Sequence, residues 1–166
     1  MFGSRQYKVR VTKDDLVFSA GHFITWGGGQ CERLHGHNYR VAVEVEDDLG
    51  VDRYVFDFIA LLDLTRALIA ELDHRMLLPA RSALIAVEAD GPNWSVRFAD
   101  RRWSFPRDEC VVLPLANTTA ELLADYLAGR LLLDFEARQL GRPHVLRVEV
   151  EESVGQSATI EWRRDG

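Results

Sequence analysis

Residues 31–46 read CERLHGHNYRVAVEVE, and this stretch carries the strongest fold signal in the chain. Apolar and polar residues alternate from His37 to Glu46, which is typical of an antiparallel strand with one buried face. His35 and His37 are two residues apart, so both imidazoles leave the same face of that strand. The stretch therefore predicts a half-buried strand that begins with a pair of histidines.

The composition of the chain is that of an ordinary globular domain. It has 166 residues, 47% of them hydrophobic, and a formal net charge of −6. This length predicts one domain over residues 1–166 with its own core. The negative charge argues against a broad surface for nucleic acid or an anionic membrane, and no apolar run reaches the roughly 18 residues of a transmembrane helix. The first residues lack a signal-peptide pattern, so we expect a cytoplasmic protein in which Cys31 and Cys110 are free thiols.

Strand-like runs occur at both ends of the chain. Tyr7–Val11 and Leu16–Phe23 precede the central stretch, and Val145–Val150 and Ala158–Trp162 come last. Two helical patterns lie between these pairs, separated by a β-rich segment. This order predicts an α+β fold, with an antiparallel β-sheet and two helices on one face.

The two helices are predicted from capping residues and from apolar residues at helical spacing. Asp57 is well placed as the N-cap of the first helix, and Thr118 with Glu121 has the spacing of a capping box at the second. The first helix should end near Asp73 and His74. Its core-facing stripe is predicted to consist of Phe58, Leu61, Leu62, Thr65, Leu68, Ile69 and Leu72.

The segment of residues 79–113 is predicted to be an inserted β-hairpin or small meander. Its strand-like runs are Ala83–Val87, Trp94–Phe98 and Arg102–Phe105, with a turn at residues 90–93. Two effects are open for it, a changed pocket entrance or an extension of the main sheet. We favour the extension.

Three histidines can meet at the central strand. His22 is predicted on the strand next to His35 and His37, so the three imidazoles could bind one Zn²⁺ ion. Three protein ligands with an open fourth position are typical of a catalytic zinc site, where the metal lowers the pKa of a bound hydroxyl. Cys31 is either a fourth ligand of a structural zinc or an acid/base thiol beside the metal.

Other residues could complete an active site. Asp73 and His74 offer a proton path, because an imidazole exchanges protons near neutral pH. A histidine at a helix C-terminus also interacts favourably with the helix dipole without any catalytic role. In the last strands Glu152 points away from Glu149 and Glu151, and a buried carboxylate of this group could hold an amidine-like ligand edge bidentately.

An ordered set of motifs supports a catalytic interpretation. The set is FSAGH at 18–22, CxxxHGHNY at 31–39, DF at 57–58, LDH at 72–74, TxE at 119–121 and VEES at 150–153. It resembles the 6-pyruvoyl-tetrahydropterin synthase family, which includes the bacterial 6-carboxytetrahydropterin synthases of queuosine biosynthesis. The resemblance extends from about residue 7 to residue 162.

The resemblance implies a fold, an assembly and a reaction. The fold would be the tunnelling fold, in which ββααββ subunits form trimeric barrels that stack as hexamers. The reaction would be a zinc-dependent lyase reaction on 7,8-dihydroneopterin triphosphate. His22, His35 and His37 would hold the zinc.

The resemblance also assigns roles to the remaining residues. Cys31 would be the general base, acting with Asp73 and His74 from a neighbouring subunit. Glu152 would anchor the 2-amino and ring N–H edge of the pterin. Thr119 would lie against the same pterin.

Several activities stay open within and beyond this family. The favoured product is 6-carboxytetrahydropterin, and the nearest alternative is elimination of triphosphate to give 6-pyruvoyltetrahydropterin. Glu32 directly follows Cys31, and some relatives that release the whole side chain for folate synthesis use a glutamate in this neighbourhood. A non-catalytic pterin- or metal-binding protein and a purely structural zinc protein are further alternatives. The chain departs from the family pattern at residues 77–79 and at Ser153.

Overall fold

The structure is a computed structural model that describes residues 5–164. Residues 1–4, on which the expected lack of a signal peptide partly depends, lie outside the described residues. Within 5–164 there are twelve strands, two α-helices and a short 3-10 turn at Arg107–Glu109. The strands are β1 Tyr7–Val11, β2 Val17–His22, β3 Thr25–Trp26, β4 Gln30–Cys31, β5 His35–Asp47, β6 Arg75–Pro79, β7 Ala86–Asp90, β8 Asn93–Phe98, β9 Arg101–Pro106, β10 Cys110–Leu113, β11 Val145–Ser153 and β12 Gln156–Arg163; the helices are α1 Phe58–Leu72 and α2 Ala120–Ala137.

The central strand of the main sheet is β5, as the alternation of its sequence predicted. The sheet order is β10-β6-β2-β5-β11-β12, and β1 pairs with β5 beyond the end of β2. The predicted inward-facing residues of β5 are fully or almost fully buried: Tyr39, Val41, Val43 and Val45. The α+β class and the mainly antiparallel sheet are therefore confirmed.

Both helices contribute to one core with the buried face of this sheet. Asp57 caps α1 as predicted, because its carboxylate accepts hydrogen bonds from the N–H groups of Ile59 and Ala60. Phe58 was wrongly placed in the buried stripe. It is 53% exposed, because it occupies the first turn of the helix, at the edge of the core.

The predicted capping box of α2 is wrong by one residue. Thr119 is the N-cap, and its hydroxyl accepts a hydrogen bond from the N–H of Leu122. Thr118 is instead completely buried, and its hydroxyl donates to the carbonyl of Phe23. Either of two adjacent threonines can cap a helix, so the sequence alone did not show which of the two is the N-cap.

Two strands of the main sheet were not predicted. β6 pairs in parallel with both β2 and β10. Their sequences, RMLLP and CVVL, are apolar runs without alternation, because most of β6 is buried on both faces. Such short apolar runs have no hydrophobic periodicity, so a strand cannot be distinguished from the end of a helix.

The strands β7, β8 and β9 form a separate three-stranded antiparallel sheet, which we call the meander. The predicted extension of the main sheet is contradicted for these strands, because β7 and β9 pair only with β8. The meander packs through Val96 on a second apolar cluster that includes Phe23, Met76 and Leu78. It therefore lies against the end of β2 that carries His22. Neither helix of the described chain is long and apolar enough to cross a membrane.

Candidate metal centre and active site

Three imidazoles converge where β2 meets the start of β5. His22 lies directly opposite His35 in the antiparallel register, and His37 follows on the same face. One ring nitrogen from each lies within 4.8 Å of the others, a group that could hold a metal ion. The ring centroids are 4.7 Å apart for His22 and His35, 5.2 Å for His22 and His37, and 4.8 Å for His35 and His37. The convergence predicted from sequence spacing is therefore present in the fold.

Backbone carbonyls orient two of these rings. Nδ1 of His22 lies 2.9 Å from the carbonyl oxygen of Thr118, and Nδ1 of His35 lies 2.8 Å from that of Arg33. A carbonyl only accepts, so each Nδ1 carries the proton and each Nε2 keeps its lone pair. This is the usual outer-shell arrangement of a metal-binding histidine. The donor set therefore fits a zinc ion without a change of tautomer.

The environment of His22 favours its neutral form. Burial is the main cause that lowers its pKa below the usual value, and the nearby rings of His35 and His37 act in the same direction. The hydrogen bond to Thr118 and the charge of Glu152 oppose this effect. A neutral imidazole is the form that binds a metal.

The close approach of β2 and β5 requires a glycine between the two histidines of β5. A Cβ atom added to Gly36 would lie 2.9 Å from the carbonyl oxygen of Ala20. That distance is shorter than real Cβ contacts, so Gly36 allows the backbone contact that brings His22 opposite His35.

Glu152 lies beside two of the imidazoles. Its carboxylate is 3.3 Å from Nε2 of His22 and 3.8 Å from Nε2 of His37. The hydroxyl of Tyr39 lies 3.1 Å from the ring nitrogens of His22. Burial first, and the charge of Glu152 second, raise the pKa of Tyr39, so this hydroxyl stays neutral and can donate a hydrogen bond.

The other two glutamates of the group have surface partners. Glu149 pairs with Arg10 at 2.6 Å, and Glu151 lies 4.0 Å from Arg40. Their side chains leave the opposite face of β11 from Glu152, as strand alternation predicted. Glu152 is therefore the member of the group that faces the histidines.

Cys31 lies outside the converging group among the described residues. Its thiol lies 3.4 Å from the carbonyl of Glu32 and packs against the second apolar cluster. Burial raises the pKa of Cys31 above the usual value, whereas the positive charge of Arg101 lowers it. The Glu32 carboxylate, by contrast, lies 3.8 Å from Nε2 of His35. Of these two adjacent residues, Glu32 is the one that contacts a histidine of the group.

Asp73 and His74 form a pair at the end of α1. The Asp73 carboxylate accepts a hydrogen bond from the N–H of Ser19 at 2.8 Å and lies 2.9 Å from Nδ1 of His74. The bond from Ser19 is the main cause that lowers the pKa of Asp73, and His74 adds to it. His74 is 81% exposed and has a left-handed backbone with φ of 55°.

Asp73 and His74 lie outside the converging histidine group of the described residues. A groove of about 740 Å³ is lined by His74, His35 and His37 together with Ser19, Gly21, Gly36 and Asn38. The fold therefore brings the three histidines and Glu152 together. Asp73 and His74 of the same chain are not part of that group, although His74 lines a groove with His35 and His37.

Sequence reasoning missed three residues around the site. Thr118 orients His22, Asn117 exchanges hydrogen bonds with the backbone of Thr25, and Arg101 donates to the carbonyls of Cys31 and Glu32. Thr118 was itself predicted as the cap and Asn117 directly precedes it, so both lie where the sequence already marked a helix start. Arg101 lies in the meander, about 70 residues from its partners, and no local sequence signal connects them.

Comparison with known proteins identifies the family. Residues 10–163 match the family model of 6-pyruvoyl tetrahydropterin synthase. A Pyrococcus horikoshii protein, provisionally named a 6-carboxy-5,6,7,8-tetrahydropterin synthase, is 32% identical over 130 residues, which are 75% of this chain and 73% of that protein. The 6-pyruvoyl tetrahydropterin synthase of Plasmodium falciparum superposes with a TM-score of 0.91 and 29% identity, covering 97% of this chain and 100% of that chain.

A related structure concerns a glutamate. The Plasmodium vivax 6-pyruvoyltetrahydropterin synthase, in a variant where a glutamate described as a catalytic residue is replaced by alanine, has a TM-score of 0.89 and 27% identity over the same coverage. These superpositions confirm the tunnelling fold of the subunit. Because the family model matches nearly the whole chain, the chain belongs to the 6-pyruvoyl tetrahydropterin synthase family.

Proposed function

We propose that this protein is a zinc-dependent lyase that converts 7,8-dihydroneopterin triphosphate to 6-carboxy-5,6,7,8-tetrahydropterin, as in queuosine biosynthesis. The observation that carries the proposal is the convergence of His22, His35 and His37 beside Glu152. The name of the Pyrococcus horikoshii relative supports the choice of product.

The three histidines are proposed as the zinc ligands. His22 and His35 hold their Nδ1 protons on backbone carbonyls, and the pKa of His22 is lowered by burial. A zinc ion bound there would supply Lewis acidity, which lowers the pKa of a coordinated side-chain hydroxyl of the substrate. Three protein ligands leave a position open for that hydroxyl.

Glu152 is proposed to anchor the pterin and Cys31 to accept the substrate proton. A carboxylate can hold the 2-amino group and the adjacent ring N–H of a pterin through two parallel hydrogen bonds. The site of Glu152 beside His22 would then fix the pterin side chain next to the metal. Thr119, at the start of α2, is proposed to lie against the same ring.

Asp73 and His74 are proposed to act in the site of a neighbouring copy of the chain. They lie outside the converging histidine group of their own chain, and Asp73 holds the exposed imidazole of His74. The enzyme would therefore be a homo-oligomer, a trimer or hexamer, and its two free cysteines are compatible with the cytoplasm.

Subunit mixing tests this arrangement. Cys31→Ala and His74→Ala should each be nearly inactive alone. After exchange of subunits between the two, sites that combine an intact Cys31 with an intact His74 should recover part of the activity. Failure to recover activity in verified mixed oligomers would contradict sharing of the site.

Product analysis tests the reaction itself. The zinc-loaded protein is incubated with 7,8-dihydroneopterin triphosphate, and the products are identified by mass spectrometry. 6-Carboxytetrahydropterin with release of acetaldehyde is expected. Triphosphate release without acetaldehyde would identify the 6-pyruvoyl product instead, and an unchanged substrate would overturn the enzymatic proposal.

A second candidate is cleavage of the pterin side chain after its first carbon, which stays on the ring as a 6-hydroxymethyl group. It is favoured by the 3.8 Å distance from the Glu32 carboxylate to His35, and the Plasmodium vivax relative has a glutamate described as catalytic. Glu32 would then be the proton acceptor in place of Cys31. Formation of 6-hydroxymethyl-dihydropterin that disappears in Glu32→Gln but persists in Cys31→Ala would support this activity.

A further inference from the structure

The tip of the meander contacts the backbone of two proposed acid/base residues. Arg101 begins β9 and pairs with Phe98 across the turn. Its guanidinium donates one hydrogen bond to the carbonyl of Cys31 at 2.7 Å and another to the carbonyl of Glu32 at 3.0 Å. The planar fork of an arginine fits two neighbouring acceptors, which a lysine ammonium cannot match in geometry.

The guanidinium is itself held in place by aromatic rings. Its central carbon lies 5.0 Å from the ring centre of Phe98 and 5.5 Å from that of Trp103. Trp103 in turn stacks on Phe23 at 4.7 Å, and Phe23 is 1% exposed. Phe23 directly follows His22 in the chain, so the meander and the histidine group share one packed connection.

The segment that Arg101 holds has little regular structure of its own. β3 and β4 pair through two residues each, and residues 32–34 belong to no strand. The N–H of Glu32 bonds to the carbonyl of Ile24 at 3.0 Å. Arg101 therefore adds two hydrogen bonds on the carbonyl side of a short connection that leads directly into His35.

We propose that Arg101 is a positioning residue, which fixes the backbone of Cys31 and Glu32 and so sets where their side chains lie relative to His35. The proposal rests on the proposed function, because it assigns Arg101 to that same site. It gives the meander a part in the chemistry in addition to its own packing. The positive charge of Arg101 also lowers the pKa of Cys31, against the effect of burial, so its loss should have an effect that is independent of turnover.

Two substitutions distinguish the paired hydrogen bonds of the Arg101 guanidinium from its positive charge. Arg101→Met keeps a long unbranched side chain beside the rings and removes both hydrogen bonds. Arg101→Lys keeps the charge but loses the fork. Arg97→Met is the matched control, because Arg97 lies on β8 of the same meander and its guanidinium pairs with Glu88 at 2.6 Å.

The first measurement is steady-state kinetics at equal zinc content. Arg101→Met should lower kcat by about 10- to 100-fold, the loss expected for misplaced reacting groups. Because the substitution leaves Glu152 in place, KM should change by less than about threefold. Arg101→Lys should have an intermediate kcat. Arg97→Met should have the kcat and KM of the unmodified protein.

The second measurement is alkylation of Cys31 by iodoacetamide as a function of pH, followed on its peptide by mass spectrometry. Arg101→Met should shift the midpoint to higher pH, since the thiolate loses a neighbouring positive charge. This readout needs no substrate. It therefore still tests the contact if the unmodified protein proves inactive on the pterin, a result that overturns the proposed function alone.

The proposal is overturned if folded Arg101→Met has unmodified kcat and an unmodified alkylation midpoint. If Arg101→Met does not fold, an unmodified kcat in Arg101→Lys overturns it, because the fork is then dispensable. A fall in kcat that is equally large in Arg97→Met also overturns it, since any damage to the meander would then have the same effect.

Discussion

The carbonyl oxygen of Thr118 lies 2.9 Å from Nδ1 of His22, and this contact joins the beginning of α2 to the group of three histidines. The Thr118 side chain is also engaged, through a hydrogen bond to the carbonyl of Phe23. The backbone carbonyl and the side-chain hydroxyl of Thr118 thus bond to two consecutive residues, His22 and Phe23. The position of the helix and the orientation of the imidazole therefore depend on each other.

Replacing a proposed ligand should remove the metal. His37→Ala should lower the zinc content from about one ion per chain to a small fraction of that, because two imidazoles do not make a stable zinc site. Metal analysis after dialysis measures this. His74→Ala is the control, since His74 pairs with Asp73 at 2.9 Å and belongs to no group of the described residues that could hold a metal ion. Full zinc occupancy in His37→Ala would contradict the assignment.

Replacing the proposed base should separate activity from metal binding. Cys31→Ala should lower kcat by about 10²- to 10⁴-fold, the usual contribution of a general base, while zinc stays bound. Cys110→Ala should retain activity, because Cys110 lies in β10 and its pKa is raised to about 11. Loss of zinc in Cys31→Ala would make the thiol a ligand instead.

The stability of the zinc-free protein should depend on pH through His22. Its folded pKa lies below the ordinary value of 6.5, so below about pH 6.5 the unfolded chain binds a proton that the folded chain does not. The free energy of unfolding should therefore be largest above pH 6.5 and should decrease as the pH falls toward the lowered pKa. The lowered pKa of Asp73 acts in the same sense, but only below its ordinary value of 3.8.

Urea unfolding between pH 8 and pH 5 measures this dependence. In His22→Asn the free energy of unfolding should decrease less between pH 6.5 and pH 5 than it does in the unmodified protein. If the free energy of unfolding changes with pH equally in the two proteins, His22 does not cause the pH dependence.

Glu152→Gln should weaken substrate binding and leave the metal in place. The amide presents one acceptor and one donor where the carboxylate presents two acceptors to the pterin edge. KM should rise by about 10-fold or more, which corresponds to roughly 1.4 kcal/mol. Titration with a non-reactive pterin measures affinity directly. Glu149→Gln is the matched control, because its carboxylate pairs with Arg10 at the surface.

Thr119 can be tested for two roles at once. Thr119→Ala should cost about 1 kcal/mol of stability, because the hydroxyl that caps α2 is removed. Thr119→Ser keeps the cap and removes only a methyl group. If KM is unchanged in both variants, Thr119 acts as a helix cap and does not contact the pterin.

The main elements were predictable because their signals are local. β5 alternates over ten residues, and Asp57 caps α1 at the expected place. The convergence of His22 with His35 followed from strand neighbours and side-chain period alone. Each of these features depends on residues that are close in the sequence or adjacent in one sheet.

The rest depended on contacts between distant segments. β6 and β10 have no alternation, so their parallel pairing was missed. The hydrogen bonds from Arg101 to Cys31 and Glu32 join segments about 70 residues apart. Nothing in the sequence of either segment indicates that the two are in contact. That Asp73 and His74 lie outside the histidine group likewise follows from the fold and from no local sequence signal.

The pairing of β5 with β11 has a consequence for the order of assembly during synthesis. Val45 of β5 lies opposite Leu146 of β11, so this pair waits for about 100 further residues to be made. The pairing of β2 with β5 spans far fewer residues, and loop closure is correspondingly easier. We expect the histidines to be in place on the growing chain before the strand that brings Glu152. The proposed zinc site would thus form on the nascent chain before the proposed pterin anchor has been made.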